Sequence, residues 1–268
     1  MQKFIISING TQQLVFLIMS IFSNFFIYIF IKRNSKNILL SIFIFFMVGA
    51  YYSFGFNGIR QYLAISIFLY SFKFIENKNF KKYLLMIFIG SLFHKTILFC
   101  LPLYFILNLK LKFLQKAVLI FISLLLTLYL NKILIILKYG HYLNKTYYVT
   151  TSYIVLIIFL ILSIYIMLFN KKILNKQQQN LNFVSIILTL LIIINQKINP
   201  SINQIFQRMG MYIFFFYIVF IPNVVESFNK EQGRILKALF FISISILYLK
   251  TFLLKLPEYK FNFILFEF

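Results

Sequence analysis

Ten apolar stretches, at about 14–31, 38–54, 59–75, 83–93, 96–107, 117–131, 152–170, 183–199, 209–225 and 235–254, follow one another with short polar turns between them. Many come close to the ~20 residues a helix needs to cross a ~30 Å hydrocarbon core. Inside such a core every backbone N–H and C=O must be satisfied within the protein. Unbroken apolar runs do this as helices, whereas the strands of a barrel would alternate apolar and polar positions. The pattern predicts an all-α, polytopic integral membrane helix bundle of about nine or ten passes. No soluble domain, long linker or internal repeat interrupts it, so residues 1–268 read as a single transmembrane domain. The longest polar stretches are 171–182, 226–234 and a Tyr-rich loop at 139–153. Residues 1–13 are mixed in character and the first apolar run is long enough to span. It is therefore expected to stay in the mature protein rather than be cleaved as a leader.

Composition supports this picture. The chain is 62% hydrophobic and 12% charged, with 37 Phe, 18 Tyr and no Trp; a soluble domain carries about a quarter charged residues. A net charge of +22 would point a soluble protein toward nucleic acid. Here the basic residues are spread over inter-helix turns, where they act as topology signals and phospholipid contacts, and no nucleic-acid partner is expected. Only Arg33, Arg60, Arg208 and Arg234 are arginines, so each stands out against a Lys-rich background. The lone Cys100 lies in an apolar run, which leaves no internal disulfide or multi-thiolate site.

The charges also orient the bundle, because short cytoplasmic loops are enriched in Lys and Arg. Lys32, Arg33 and Lys36 mark one such loop, and Lys73, Lys78, Lys81 and Lys82 another, which leaves the turn at 55–60 outside. Residues 83–107 have two readings. They form one span with His94 and Lys95 near its middle, or two short passes (or a re-entrant hairpin) turning at His94-Lys95. Run length favours one pass. Burying Lys at a bilayer centre costs about 2.5–3.5 kcal/mol on the gentler insertion scale, which tips the balance to two. That reading puts 110–116, 171–176 and 226–237 inside, and 132–151 and 200–208 outside.

Three polar elements interrupt the apolar pattern. In Phe56-Asn57-Gly58-Ile59-Arg60-Gln61, Gly55 and Gly58 break a helix, Asn57 reads as the N-cap of the next, and Arg60 falls in its first turn. Free N–H groups, helix dipole and guanidinium together make a possible phosphate site; the alternative is an interfacial Arg that anchors a helix end. In Asn199-Pro200-Ser201-Ile202-Asn203-Gln204, Pro200 ends one helix and Ser201 with Gln204 reads as a capping box. Arg208 then lies about 10 Å further along the axis. The third element is Phe93-His94-Lys95-Thr96, where a titratable ring sits at a membrane break. The Tyr-rich loop has two uses: Tyr142 and Tyr147 either line the membrane interface or stack against sugars. With no Asp in the chain and no second His near His94, a zinc or magnesium site is poorly supported and no cofactor is expected. The carboxylates Glu76, Glu226, Glu231, Glu258 and Glu267 all lie outside apolar spans, which counts against a cation-coupled transporter.

The run Asn57-Gly58-Ile59-Arg60-Gln61-Tyr62-Leu63-Ala64 resembles the signature of the EpsG family, a branch of Wzy-like polysaccharide polymerases. The likeness continues through Phe93-His94-Lys95-Thr96 and Leu101-Pro102-Leu103-Tyr104 to a late Arg208-Met209-Gly210-Met211-Tyr212 stretch, and covers roughly 20–225. Family members usually carry additional N-terminal spans and an outer loop with an Asp-Tyr element, and this chain is expected to begin downstream of them. The resemblance implies a multi-pass protein of the bacterial inner membrane that polymerises repeat units of exopolysaccharide, capsule or O-antigen. It would transfer a polyprenyl-diphosphate-linked glycan to a second lipid-linked unit at the outer face, with other polysaccharide export proteins as possible partners. Under it, Arg60 and Arg208 stabilise the diphosphate, and His94, or less favourably Glu258, serves as base. Asn57, Gln61, Lys95, Tyr142, Tyr147 and Tyr212 are candidate substrate contacts. Two other classes remain open: a ligase or acyltransferase acting on membrane glycans, and a non-enzymatic flippase or transporter.

Overall fold

The computed structural model describes residues 12–48, 51–52, 54–136, 153–169, 174–198, 200–228 and 230–255, and among these every regular element is helical. In chain order they are α1 (Gln12–Asn34), α2 (Ile38–Met47), α3 (Phe54–Asn57), α4 (Ile59–Glu76), α5 (Phe80–Phe93), a 3-10 segment (Lys95–Cys100), α6 (Leu103–Asn108), α7 (Phe113–Ile136), α8 (Tyr153–Phe169), α9 (Lys176–Ile198), α10 (Pro200–Phe214), α11 (Tyr217–Val225) and α12 (Lys230–Lys255).

A helix apolar on every side must be covered on every side by protein or lipid, and protein covers the innermost helices. That is the position of α4, whose residues Gln61 through Leu69 are all buried, and of α11, buried along its whole length. Around them the outer helices turn apolar side chains outward. On α1, Phe16, Leu17, Ile21, Phe22 and Phe25 are exposed while Val15, Met19, Ile27 and Phe30 are buried; Phe121 and Ile122 of α7 and Ile242 and Ile246 of α12 are exposed in the same way. Water-soluble proteins do not leave apolar faces of this extent open. Lipid satisfies them, and the chain is a membrane protein.

The turn between α4 and α5 is closed by backbone bonds. Asn79 N–H donates to Phe74 O (2.8 Å) and Lys78 N–H to Ile75 O (3.0 Å), a pattern that holds Lys78 in the left-handed region at φ 53°. Asn79 then accepts from Lys82 N–H and opens α5.

Beyond α5 the chain folds back on itself. The Phe80 ring lies 5.0 Å from Tyr104 and 5.3 Å from Phe105, Tyr83 Oη donates to Cys100 O (2.5 Å), and Gly90 lies against Ile97. These pairs converge on His94, which ends α5 by donating its backbone N–H to Gly90 O (3.1 Å). A Cβ at Gly90 would meet Ile97 Cδ1, so any larger residue there would force the Ile97 side chain to shift. At the far end of the return arm, Asn108 Nδ2 donates to Tyr104 O (2.8 Å) and reaches Ile75 O (3.5 Å), back at the level where α4 ended. Residues 83–107 are therefore a hairpin, and the single-span reading is excluded. The 14 residues of α5 extend about 21 Å.

The end where α4 stops and Asn108 returns carries a polar network. Arg33 Nη2 donates to Glu76 Oε2 (3.1 Å) and Asn175 Nδ2 to Glu76 Oε1 (2.6 Å). Asn223 Nδ2 donates to Asn34 O (2.8 Å) while its Oδ1 accepts from Lys36 N–H (2.7 Å). Glu226 Oε1 accepts from Asn37 Nδ2 (2.6 Å) and pairs with Lys237 Nζ (2.5 Å). Asn180 Nδ2 donates to the carbonyls of Leu107 and Leu109, at 3.0 and 2.9 Å. The loops that charge counting grouped as cytoplasmic are thus neighbours in space.

Three expectations change. Only Gln13–Asn34 and Lys176–Gln196, among the described residues, are long and apolar enough to cross a bilayer as single helices. The pair Ile205–Phe214 and Tyr217–Val225, bent by 44°, would make a third. The nine or ten passes expected are thus matched by two or three spans among the described residues, beside shorter apolar helices such as the ten residues of α2. The cap position of α4 is Gly58, with no side-chain bond, rather than Asn57, because α3 extends through Asn57. Pro200 opens α10 instead of closing α9, which puts Ser201 inside the helix rather than at a capping box; Pro suits a first helical position, having a preset φ and no N–H to leave unpaired.

The hairpin generates a test of sidedness. In a Cys100→Ser background, a membrane-impermeant thiol reagent applied to intact cells is expected to label Lys95→Cys. Lys78→Cys and Lys110→Cys should be labelled only after permeabilisation. Labelling of all three in intact cells would contradict the orientation.

The network carries a pH signature. Hydrogen bonds from Lys237 and then Asn37 hold the Glu226 carboxyl below its ordinary value. A depressed carboxylate contributes stability that is present above its unfolded pKa, about 4.3, and is lost as pH falls through the folded value. Thermal melts of the detergent-purified protein should fall on acidification through that range, and Glu226→Gln should flatten the fall.

Candidate functional site

Arg60, His94 and Arg208 belong to three separate stretches of sequence, and the fold gathers them at the end opposite the Glu76–Glu226 network. α4 brings Arg60 there as its second residue, with the side chain exposed. The hairpin brings His94 to its tip, outside the helical runs on either side. α10 brings Arg208, about 12 Å along its axis from Pro200. Gln61, 6% exposed, donates from Nε2 to the Arg208 carbonyl (2.9 Å) and ties the first turn of α4 to the middle of α10.

The imidazole is half-buried and has a defined partner. His94 Nδ1 lies 2.6 Å from Thr96 Oγ1, which in turn lies 2.9 Å from Tyr212 Oη. Tyr212 is buried one turn beyond Arg208 on α10, so this chain of two hydrogen bonds ties the hairpin tip to the Arg208 helix. Tyr51 Oη donates to Phe214 O (3.1 Å) and Tyr62 Oη to Asn24 Oδ1 (2.9 Å), which fix α10 and α1 around the same end.

Burial, then the positive charges of Arg208 and Arg60, hold the His94 pKa below its ordinary 6.5. Two guanidiniums acting on one imidazole show that the three side chains share a field. A ring so placed is neutral at pH 7 and keeps one nitrogen lone pair. The two carboxylates with resolved ion pairs, Glu76 and Glu226, lie at the other end. Among the described residues Arg60, Lys95 and Arg208 have no carboxylate partner, so this end is left with a surplus of positive charge.

Other expected contacts divide. Lys95 is exposed beside His94 and Tyr212 is buried in the hydrogen-bond chain. Asn57 ends α3 just ahead of α4. Tyr142, Tyr147 and Glu258 lie outside the described residues. Thr96 emerges only from the structure as the link between His94 and Tyr212, although it stands in the Phe93–Thr96 element. Among the described residues no group of three His, Cys, Asp or Glu side chains could hold a metal ion.

An apolar cavity lies elsewhere. About 320 Å³ of apolar space opens between α8 and α11, lined by Leu162, Tyr165, Ile166, Ile221, Val224, Val225 and Phe228. It adjoins the Glu226 end, has almost no polar lining, and holds none of the groups above. Charge and hydrogen bonding, rather than enclosed volume, locate the site.

An all-helical membrane protein with a cationic, imidazole-bearing site at the tip of a hairpin is the class so defined. The chain belongs to the EpsG family of Wzy-like polymerases, whose family model matches residues 1–268, the whole length given. No curated protein and no solved structure matches the chain.

The Thr96 bridge yields a prediction. Thr96→Val and Tyr212→Phe remove hydrogen bonds that orient the imidazole without touching the arginines. Each should lower kcat by about tenfold while KM for the lipid-linked substrate changes little, since a neutral hydrogen bond contributes roughly 0.5–1.5 kcal/mol. A rise in KM at unchanged kcat would assign Thr96 and Tyr212 to substrate binding instead.

Proposed function

We propose that this protein polymerises lipid-linked glycan repeat units at the outer face of the bacterial inner membrane, which the chain crosses nine or ten times if its short arms are counted as passes. The observation that carries the reading is the convergence of Arg60, Arg208 and His94 at the hairpin tip. In the reaction, a hydroxyl of the acceptor glycan attacks the anomeric carbon of the donor. The bond from that carbon to the phosphate oxygen breaks, and polyprenyl diphosphate leaves with the bonding electrons.

Negative charge grows on the diphosphate as that bond breaks. Fixed guanidiniums stabilise it, the half-buried Arg208 more than the exposed Arg60, because water screens it less. Arg60 and Arg208 supply this, and Arg geometry matters because the planar fork meets two phosphate oxygens at once. The acceptor proton goes to His94. If Nδ1–H donates to Thr96 and Thr96 to Tyr212, the lone pair of Nε2 is free to take it. A pKa held below 6.5 keeps this base unprotonated at neutral pH.

In a reconstituted assay with the lipid-linked repeat unit, Arg60→Lys should cost about 2–4 kcal/mol of transition-state stabilisation, a fall of roughly 30- to 1000-fold in kcat/KM. His94→Gln should lose about 100-fold or more. Wild-type kcat/KM should drop as pH falls through the lowered His94 value, and His94→Gln should remove that acid limb. Full polymer production by Arg60→Ala at wild-type protein levels would overturn the reading.

A further inference from the structure

The junction of α9 and α10 holds polar groups that the reaction above does not use. Asn203 is completely buried, and neither its Nδ2 nor its Oδ1 has a hydrogen-bond partner. One turn on, Gln207 Nε2 is buried and unpartnered, as is Gln196 Oε1 on α9. Four of the five such orphaned atoms among the described residues therefore belong to this one junction; the fifth is Asn182 Oδ1. Register places them together. Gly210 faces Ile192, whose Cδ1 would lie 3.2 Å from an added Cβ. Counted from that contact toward the α9–α10 reversal, Gln196 is one turn away on α9, and Phe206–Gln207 and then Asn203 are one and two turns away on α10.

Folded proteins pair nearly all their buried polar atoms, and a cluster left open calls for a partner that completes it. The chemistry of the cluster restricts that partner. It offers both donors (Asn203 Nδ2, Gln207 Nε2) and acceptors (Asn203 Oδ1, Gln196 Oε1), with no charge. A phosphate needs donors alone and a cation acceptors alone. A sugar hydroxyl or an acetamido group, like water, presents a donor and an acceptor together and matches the set. Position agrees with this: Gln207 precedes Arg208, and Asn203 lies five residues, about 7.5 Å along the axis, toward the start of α10.

We infer that Asn203, Gln207 and Gln196 form a sugar subsite that receives a neutral glycan ring of the lipid-linked substrate while Arg208 on the same helix receives the diphosphate. The inference rests on the polymerase reading and names the part of the site that recognises sugar rather than phosphate.

The test measures Kd for the protein in lipid nanodiscs with four probes: undecaprenyl diphosphate alone, and the same lipid carrying one N-acetylglucosamine, glucose or galactose. Wild type should bind at least one sugar-bearing lipid more tightly than the bare lipid. Asn203→Leu and, separately, Gln207→Leu should lose that preference by about tenfold, the worth of one or two hydrogen bonds. Both should keep wild-type affinity for the bare lipid and an unchanged or raised Tm, because an apolar residue removes an unpaired buried amide. Arg60→Ala should weaken all four probes alike. Retained sugar preference in both variants, equal losses on bare and glycosylated lipid, a lowered Tm showing that the amides pair within the fold, or no sugar preference in wild type would each overturn the subsite. If wild type binds the bare lipid but shows no sugar preference, the subsite alone falls. If it binds none of the four, the polymerase reading falls with it.

Discussion

The reversal at His94-Lys95 is the constraint on which the rest of the structure depends. A Lys held at the centre of a bilayer costs several kcal/mol, so the apolar stretch from 83 to 107 does not run straight through. It turns at the charge instead. The turn is sterically permitted by Gly90, which lets Ile97 lie against α5, and it is tied by the His94 N–H to Gly90 and the Tyr83 hydroxyl to Cys100. Because the hairpin returns, Asn108 lies beside the end of α4, and every later helix takes its direction from that. Only with this parity does Gln61 of α4 reach the Arg208 carbonyl of α10.

The two ends of the bundle then differ in how they treat charge. At one end Glu76 and Glu226 are each bonded to a basic residue and to an Asn, and Asn side chains take up the carbonyls where helices stop. Such contacts lock the loops of α1, α2, α9 and α11 to each other. At the other end, among the described residues, Arg60, Lys95 and Arg208 have no carboxylate partner, and amides at the α9–α10 junction are left open. Under the proposed function, an anion and neutral polar groups would complete that second end, as a glycan on a diphosphate supplies.

The elements that could be read along the chain are those whose cause is local. Apolar runs of helical length gave α1, α4 and α5 to within about three residues, since a run that must satisfy its own backbone in lipid has one solution; α9 began seven residues earlier, in the polar stretch ahead of its run. The capping signals at Asn57 and Ser201 were misplaced by one or two residues. Near a Gly or a Pro a helical turn can begin on either side of the breaking residue, and packing decides which. The run at 209–225 also hides a 44° bend between α10 and α11 that apolar content cannot report.

By itself the sequence determined the class: an all-helical membrane protein with three conspicuous cationic or titratable elements, because composition and run length act through the solvent and need no partner. It singled out Arg60, His94 and Arg208 as types of residue that lipid does not tolerate without cause. It left open whether they could meet, since the two parities of residues 83–107 differ by one charge and place Arg208 at opposite ends. Tertiary structure decided that, through contacts between residues far apart in the chain: Phe80 with Tyr104, Asn108 with Ile75, Gln61 with Arg208, and Thr96 with Tyr212. Asn203 and Gln207 became visible only at this level, because a polar side chain is remarkable not for its identity but for being buried without a partner.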